Sequence, residues 1–296
     1  MEKNIKKWLK KHTTELSGKI IAISGATGGI GKELCRYLLS LDASLILLDR
    51  NKERSNDLVN KLSSEFPGSN IKQIFLDLED INSVKDACLS LEKEKLFGLV
   101  LNAGAYSIPR HICSTGYENI FQINFVAPYY IARRLCEKME NGGKIVAVSS
   151  IAHNYSKTDH CDIDFRKRGK ASLVYGNAKR YLTYSLERLF SEDSRIDLSI
   201  SHPGITFTGI TNHYPKLIFA VIKHPMKVIF MRPKKACLSA LLGLFEKTEK
   251  GSWIGPRIFN IWGYPKKMKL DTASEEEKLI ISQNADRIFY EIDSRT

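Results

Sequence analysis

The segment S-G-A-T-G-G-I-G, Ser24 to Gly31, separates a short apolar run from a stretch with helical periodicity. Gly25 allows a tight turn at the end of a strand, Gly29 lets backbone N–H groups approach phosphates, and Gly31 permits close packing of the following helix. The N-terminus of that helix favours negative charge. The segment therefore predicts a site for a dinucleotide pyrophosphate, although such glycines also occur in ordinary strand-to-helix turns.

Short apolar runs alternate with amphipathic stretches along the chain, which is the pattern of parallel strands joined by crossover helices. Six strands in series predict an α/β fold, a Rossmann-type doubly wound parallel sheet with three layers in a single domain. The predicted strands are Ile20 to Ser24, Ser44 to Asp49, Ile71 to Leu76, Gly98 to Asn102, Lys144 to Ser149 and Ile196 to Ser201. The predicted helices are Gly29 to Leu41, Arg54 to Phe66, Ile81 to Lys95, Tyr117 to Met139, Ser172 to Phe190, Pro233 to Glu246 and Ser274 to Ile292.

Length and composition restrict the class of protein. The 296 residues, 43% of them apolar, suffice for one large domain, predicted at residues 19–296 after a basic extension at residues 1–18. The formal charge of +12 favours anionic partners, but it does not choose among a nucleotide, a membrane surface and nucleic acid. No zinc-finger, RNA-binding or arginine-rich pattern supports nucleic acid. Six scattered cysteines without a C-x-x-C pair predict neither a zinc site nor disulfides, so a reducing, cytoplasmic location is expected.

Polar residues follow the predicted strands at their carboxyl ends, where doubly wound sheets bind ligands. Asp49 lies 24 residues after Gly25, where a carboxylate can accept hydrogen bonds from adenosine ribose hydroxyls. The alternative is that Asp49 caps a helix beginning near Asn51. The other polar residues at strand ends are Asp77, Asn102 and Ser150.

The second motif is Y-G-N-A-K, Tyr175 to Lys179. On a helix, residues four apart share one face, and a lysine ammonium there would lower the pKa of the phenol so that it can exchange a proton. Ser150 would hydrogen-bond a substrate oxygen and steady its developing charge. Each of these residues has an alternative interpretation when it is taken alone. A Tyr-Lys pair at this spacing is more often a surface pair, and Ser150 would be a turn or cap residue. Asn124, a further polar residue in a predicted helix, would be an interior residue bonded to the backbone.

The order of these motifs resembles that of the short-chain dehydrogenase/reductases, from about Lys19 to Gly255, and the spacing before Tyr175 resembles the retinol dehydrogenase-like branch. The resemblance implies hydride transfer between a nicotinamide cofactor and a small lipophilic alcohol, aldehyde or ketone. It also implies a last strand at Gly251 to Pro256 and, commonly, a homo-oligomer. The implied catalytic residues are Asn124, which holds a water of a proton relay, and Ser150, Tyr175 and Lys179. The implied cofactor-binding residues are Ser24 (in place of the usual threonine), Gly25, Thr27, Gly29, Ile30, Gly31, Asp49, Arg50, Asp77, Leu78, Asn102, Ala103, Gly104, Tyr175, Lys179, Pro203, Gly204 and Thr208.

The choice between NAD and NADP depends on two adjacent residues. Asp49 suits a free ribose hydroxyl and would repel the extra phosphate of NADP. Arg50 could neutralise that phosphate, so NAD is predicted and NADP stays an alternative.

Two further segments invite a site assignment. The long loop from Ile151 to Ala171 contains His153, His160, Cys161, Asp162 and Asp164. These residues lack regular ligand spacing, so no metal is predicted and a polar surface loop is favoured.

The segment at about 205–235 has no acid from Thr208 to Lys235 and many large apolar residues, which predicts a lid over an apolar pocket. A basic, apolar segment can instead lie in a membrane interface, and Asn4 to Lys11 is a second candidate for such peripheral contact. Ordinary packing is favoured for the latter. No run of about 18 apolar residues predicts a spanning helix. A non-catalytic nucleotide-binding regulator is the alternative function, but it leaves the Asn-Ser-Tyr-Lys set unexplained.

Overall fold

The computed structural model describes residues 2–190, 195–206 and 230–294. Its strands are β1 Ile20–Ser24, β2 Ser44–Asp49, β3 Ile71–Phe75, β4 Leu96–Leu101, β5 Gly143–Val148, β6 Ile196–Ser201, β7 Ser252–Ile258 and β8 Trp262–Lys269. Its α-helices are α1 Lys3–His12, α2 Gly29–Leu39, α3 Lys52–Glu65, α4 Ile81–Leu91, α5 Asn119–Phe121, α6 Ala127–Leu135, α7 Ala171–Leu189, α8 Pro233–Ala236, α9 Leu238–Gly243 and α10 Glu275–Asp293.

The described strands form one sheet in the order β3-β2-β1-β4-β5-β6-β7-β8. All neighbours from β3 to β7 pair in parallel, and β8 pairs antiparallel with β7. The order reverses at β1 and β4, so a crevice opens at their carboxyl ends. The predicted doubly wound α/β fold is confirmed.

Successive side chains of each strand point to opposite faces of the sheet, so the hydrophobic core has two layers, one on each face. Ile21 and Ile23 of β1 pack with buried residues of α1, α2 and α9. Ala22, which points to the opposite face, packs with those of α4, α6, α7 and α10. Because both faces of the sheet are covered at its centre, β1 and β4 are almost wholly apolar, as buried parallel strands require.

Two predicted helices differ from the structure. The segment from Tyr117 to Met139 is not one α-helix, because a π-helical turn, Gln122–Val126, separates α5 from α6 and a 3-10 turn follows α6. The segment from Pro233 to Glu246 is divided at Cys237 into α8 and α9.

The antiparallel strand β8 was not predicted. Its sequence, W-G-Y-P-K-K-M-K, contains a proline and three lysines, which obscure the alternation of a strand. Such residues are tolerated at the open edge of a sheet, where N–H groups need no partner strand and charge discourages further pairing.

The N-terminal helix α1 packs on the domain. Its apolar residues Ile5, Trp8 and Leu9 are buried, and the Trp8 ring stacks on Tyr264 of β8. Ordinary packing therefore accounts for these residues, and Trp8 and Leu9 are not exposed as a membrane anchor would need. None of the described helices combines the length and apolar character that crossing a bilayer requires.

Polar contacts hold the loop after Ser150, and the expectation of a polar surface loop is wrong for His153, Asp162 and Asp164, which are buried. Asp164 is buried, accepts a hydrogen bond from the Glu118 N–H at 2.9 Å and pairs with Arg166. The Asn177 amide of α7 donates to the Ile163 carbonyl. Within residues 2–190, 195–206 and 230–294, no group of three or more His, Cys, Asp or Glu is suited to hold a metal ion.

Candidate active site

The glycine segment forms a tight connection between β1 and α2. Gly25 has a φ of 66°, which favours glycine. A Cβ on Gly31 would lie 2.3 Å from the Gly25 carbonyl oxygen, so only glycine fits there. No side chain caps the N-terminus of α2 at Gly28, and this end of the helix is therefore open to an anion.

Ser24 has a role that the sequence did not indicate. Its hydroxyl accepts hydrogen bonds at 3.0 Å from the backbone N–H groups of both Asn102 and Ala103. The Asn102 amide in turn donates to the Ser24 and Gly25 carbonyls. These contacts join the carboxyl ends of β1 and β4. Ser24 is buried, and it positions the two strand ends that form walls of the crevice.

The crevice is a cavity of about 400 Å³, within the roughly 300–1,000 Å³ of typical small-molecule sites. Of the predicted cofactor residues it is lined by Gly25, Thr27, Gly29, Ile30, Asp49, Arg50, Asp77, Leu78, Asn102, Ala103 and Gly104. Ser24, Gly31, Pro203, Gly204, Tyr175 and Lys179 do not line it, and Thr208, with most of the predicted lid, lies outside the described residues. Lining residues that the sequence did not single out include Asn51, Arg54, Tyr106, Ile108 and Ile123.

Asp49 presents one unused acceptor at this cavity. Its Oδ1 accepts hydrogen bonds from the Thr27 N–H and hydroxyl at 3.1 and 2.8 Å, while its Oδ2 is buried without a partner among the described residues. Burial raises the pKa of the Asp49 carboxyl against the effect of these two bonds. The proposed cap role belongs instead to Asn51, whose side chain accepts from the Arg54 N–H at the start of α3.

Arg50 is engaged at the rim of the cavity. Its guanidinium lies 3.3 Å from Glu79, and the other Glu79 carboxylate oxygen lies 3.1 Å from the His111 Nε2. The charge of Arg50 is thus partly compensated before any ligand binds.

Tyr175 stands next to the cavity on α7. Its ring contacts the edge of the Tyr106 ring with centroids 5.3 Å apart, and Tyr106 lines the cavity. Burial raises the pKa of Tyr175 to about 12, and the Ser150 side chain opposes this shift only in part. The phenol therefore keeps its proton at neutral pH.

Gly176 brings Ser150 and Tyr175 together. Ser150 begins the 3-10 turn Ile151–Tyr155, and a Cβ on Gly176 would lie 2.5 Å from the Ala152 carbonyl oxygen of that turn. A side chain at this position would push the turn away from α7. The glycine inside the Y-G-N-A-K motif thus has a packing reason that spacing alone did not reveal.

Lys179 is buried one turn further along α7. Its Nζ donates to the Val148 carbonyl at 2.9 Å and lies 5.7 Å from the Tyr175 ring centroid. Burial lowers the pKa of Lys179 to about 7. The expectation that Lys179 lowers the pKa of Tyr175 is not met here, because desolvation of the phenol dominates and the lysine itself is only partly charged at neutral pH.

Asn124 completes the group from inside the π-helical turn. Its amide donates to the Ala105 and Ile120 carbonyls, both at 2.8 Å, and its Oδ1 is buried without a partner in the described part of the chain. A Cβ on Gly104 would lie 2.7 Å from this Oδ1 and 3.5 Å from the Lys179 Nζ. The extra residue of a π-helix commonly occurs at functional sites, and here it aims a free acceptor toward Lys179.

The residues present fit a dinucleotide. The open end of α2 can receive a pyrophosphate, and the Asp49 Oδ2 can accept a ribose hydroxyl. Tyr175 adjoins the same crevice through Tyr106, and Lys179 adjoins it through Gly104.

Known proteins share these features. A family model described as short chain dehydrogenase matches residues 19–161. The chloroplastic short-chain dehydrogenase TIC 32 A of Brassica napus is 30% identical over 219 residues, 68% of this chain and 68% of the relative. Human polyprenol dehydrogenase is 23% identical over 249 residues, 79% of this chain and 70% of the relative. The structure of L-sorbose reductase from Gluconobacter frateurii, solved with NADPH and L-sorbose, has a TM-score of 0.62 at 18% identity and covers 88% of this chain and 99% of that chain.

Proposed function

Because the chain belongs to the short-chain dehydrogenase/reductase family of oxidoreductases, we propose that it transfers hydride between NAD(P) and an apolar alcohol or carbonyl compound, acting on the CH–OH group. The observation that carries the proposal is the position of Tyr175: its ring packs against Tyr106, which lines the same crevice as the glycine segment.

The cofactor would be held by the crevice and supplies the nicotinamide that donates or accepts hydride. Backbone N–H groups at the start of α2 would bind its pyrophosphate, and Asp49 its adenosine ribose. By family resemblance, Lys179 would bind the nicotinamide ribose, and Pro203, Gly204 and Thr208 would lie near the nicotinamide.

Proton transfer would be the task of Tyr175. Burial keeps the Tyr175 phenol protonated at neutral pH, so it can hydrogen-bond a substrate carbonyl oxygen and give it a proton. Ser150 would donate a hydrogen bond to the same substrate oxygen. Asn124, with its unpartnered Oδ1, would hold the water that returns a proton through Lys179.

We propose NAD as the preferred cofactor. The Asp49 carboxylate would repel a 2′-phosphate, and the cation that could compensate, Arg50, is already paired with Glu79. NADP use then requires that the Arg50–Glu79 pair open.

The proposed substrate is a small lipophilic alcohol, aldehyde or ketone. Support comes from the apolar, acid-free sequence from Thr208 to Lys235, which we propose as part of a lid at about 205–235. The name of the relative polyprenol dehydrogenase points to the same substrate class. We propose that this lid belongs to one cofactor-binding domain, residues 19–296, preceded by the extension at residues 1–18.

The test is turnover of a panel of retinoids, steroids, quinones and aliphatic ketones by the wild type and by Tyr175→Phe. We expect turnover to fall about 10²- to 10⁴-fold in the variant, with NADH affinity largely unchanged because the ring remains. The matched control is Tyr181→Phe. Tyr181 lies on the same helix and its hydroxyl accepts a hydrogen bond from Asn284, so this variant should keep the turnover of the wild type. Equal turnover by wild type and Tyr175→Phe would refute the mechanism. NADH binding without turnover of any compound would favour the non-catalytic regulator.

A further inference from the structure

The turn between β7 and β8 presents apolar side chains to solvent. Phe259 is 79% exposed and the adjacent Ile258 is 42% exposed. Phe259 has the largest exposure among the large apolar side chains of the described residues. Single exposed apolar residues are ordinary, but two adjacent ones at the tip of a hairpin need a reason.

The backbone of this turn is strained at the same position. Phe259 and Asn260 have φ values of 50° and 59°, the left-handed region that hairpin turns usually fill with Asn-Gly. For a bulky residue such as Phe this conformation costs about 1–2 kcal/mol. High exposure and backbone strain therefore occur at the same residue, Phe259. Strain that is kept at an exposed apolar side chain indicates that this side chain has a function.

Contacts on the inner side hold the turn in shape. The Nε2 of the buried His202 donates to the Asn260 carbonyl at 2.9 Å, and the Ile261 N–H donates back to the Ile258 carbonyl. A Cβ on Gly204 would lie 2.6 Å from the Ile261 carbonyl oxygen, so the turn rests directly on the chain that leaves β6. Phe259 is thus displayed on a preformed support.

The charge around the turn is positive. From Gly251 to Leu270 the sequence has four Lys or Arg and no Asp or Glu. Arg257, next to Ile258, is exposed and has no carboxylate within ion-pair distance among the described residues. Lys267 and Lys269, by contrast, pair with Glu246 and Asp271, so Arg257 is a cation left for an external anion.

We propose that the β7–β8 turn docks on an anionic lipid bilayer, with Phe259 and Ile258 inserted among the acyl chains and Arg257 against the lipid phosphates. A convex tip with two apolar side chains is too small for a stable protein interface, which buries roughly 800 Å² per partner. An apolar wedge flanked by cations matches the physics of a bilayer interface, where apolar insertion and attraction to anionic lipid add together. This site is distinct from Asn4 to Lys11, whose apolar residues are buried.

Docking would bring the chain after β6 to the bilayer surface, because Gly204 and His202 support the turn. A lipophilic substrate could then pass from the bilayer toward the crevice. Only this consequence rests on the proposed function; the docking itself does not.

The test is co-sedimentation of the full chain with vesicles of phosphatidylcholine alone and vesicles that also contain phosphatidylserine. We expect binding to the anionic vesicles that weakens with salt. Phe259→Asn should lower the partition coefficient about tenfold or more, and Arg257→Gln about fivefold. Asparagine tolerates the left-handed backbone better than phenylalanine, so the first variant should fold at least as well as the wild type.

The matched control is Leu89→Asn, which removes an apolar side chain of α4 that is 52% exposed; its binding should equal that of the wild type. Absence of wild-type binding to both kinds of vesicle would overturn the proposal. Unchanged binding by Phe259→Asn would overturn it too, because another segment would then carry the contact. Neither result depends on turnover, so a failure here is separable from a failure of the proposed reaction.

Discussion

Lys179 is 3% exposed, and its Nζ donates a hydrogen bond to the Val148 carbonyl. Its pKa is lowered to about 7 by burial, from a usual value of 10.5. The unfolded chain holds this proton more tightly than the folded protein does, so the buried ammonium opposes folding. That cost is complete below about pH 7 and fades as the pH rises to about 10.5.

Lys179→Met should therefore stabilise the protein while impairing its reaction. At pH 7 we expect a gain of about 2 kcal/mol in the free energy of unfolding, after the lost hydrogen bond is subtracted, and the gain should shrink at pH 10. Urea unfolding at both pH values measures it, with the exposed Lys250→Met as control. Turnover should fall about 100-fold or more. A destabilised variant with normal turnover would show that Lys179 is a structural residue.

Glu79 is the residue that we expect to control cofactor preference from the rim of the crevice. Glu79→Gln removes the carboxylate that pairs with Arg50, which leaves the guanidinium available to a 2′-phosphate. The ratio of kcat/KM with NADPH to that with NADH should rise about fivefold, the scale of one partly exposed ion pair. The control is Glu94→Gln, which removes a similar ion pair with Lys72 of β3. This variant should leave the ratio of NADPH to NADH efficiency unchanged. An unchanged ratio in Glu79→Gln would mean that Arg50 does not face the ribose.

At the scale of elements, α10 is fastened to α7 beside the proposed catalytic residues. Arg180, which follows Lys179, is 2% exposed and pairs through two nitrogens with Glu277 at 2.6 Å. The same guanidinium donates to the His153 carbonyl, so one buried cation joins α7, α10 and the turn that carries Ser150.

Glu277→Ala should destabilise the protein by about 3–5 kcal/mol, because it leaves a buried guanidinium without its counter-charge. Denaturant unfolding measures this loss. Glu275→Ala is the control in the same helical turn: it removes the ion pair that the exposed Glu275 makes with Lys278 and should leave the stability almost unchanged. If the two variants lose equal stability, the Arg180 contact does not anchor α10.

At the scale of the whole molecule, two histidines of the described residues are buried in the interior. His153 and His202 both contact Trp253, with ring centroids 5.1 and 5.2 Å from the Trp253 ring. Each has a buried ring nitrogen without a hydrogen-bond partner among the described residues. Burial lowers the pKa of both to about 4, from a usual value of 6.5.

Stability should therefore fall as the pH is lowered from about 6.5 to about 4, since the unfolded chain takes up protons that the folded protein excludes. At pH 5 the expected loss is about 2 kcal/mol per histidine, relative to pH 7.5. Urea unfolding at the two pH values measures it. His153→Gln and His202→Gln should each reduce the pH dependence, and the exposed His160→Gln should not. A profile that is flat across this range in the wild type would contradict the burial of neutral imidazoles.

The glycine segment, the Y-G-N-A-K motif and the alternation of apolar runs were sufficient to predict the parallel sheet and its crossover helices. They also predicted that the site lies at the carboxyl ends of the strands. These properties follow from local rules: strand and helix periodicity, the glycines of a tight turn, and the chirality of parallel crossovers. Helix continuity was less predictable, because the π-helical turn around Asn124 and the division at Cys237 depend on neighbours that are distant in sequence.

The sequence by itself thus determined the fold, the family and part of the lining of the crevice. Only the tertiary structure decided that Ser24 joins two strands, that Arg50 pairs with Glu79, that Tyr106 links the cavity to Tyr175, and that β8 forms the edge of the sheet beside the turn with Phe259. The tertiary structure also changed one expectation: burial raises the pKa of Tyr175, whereas the sequence predicted that Lys179 would lower it. The reason is that burial and long-range contacts set hydrogen-bond partners and desolvation, and neither quantity is encoded in the spacing of residues along the chain.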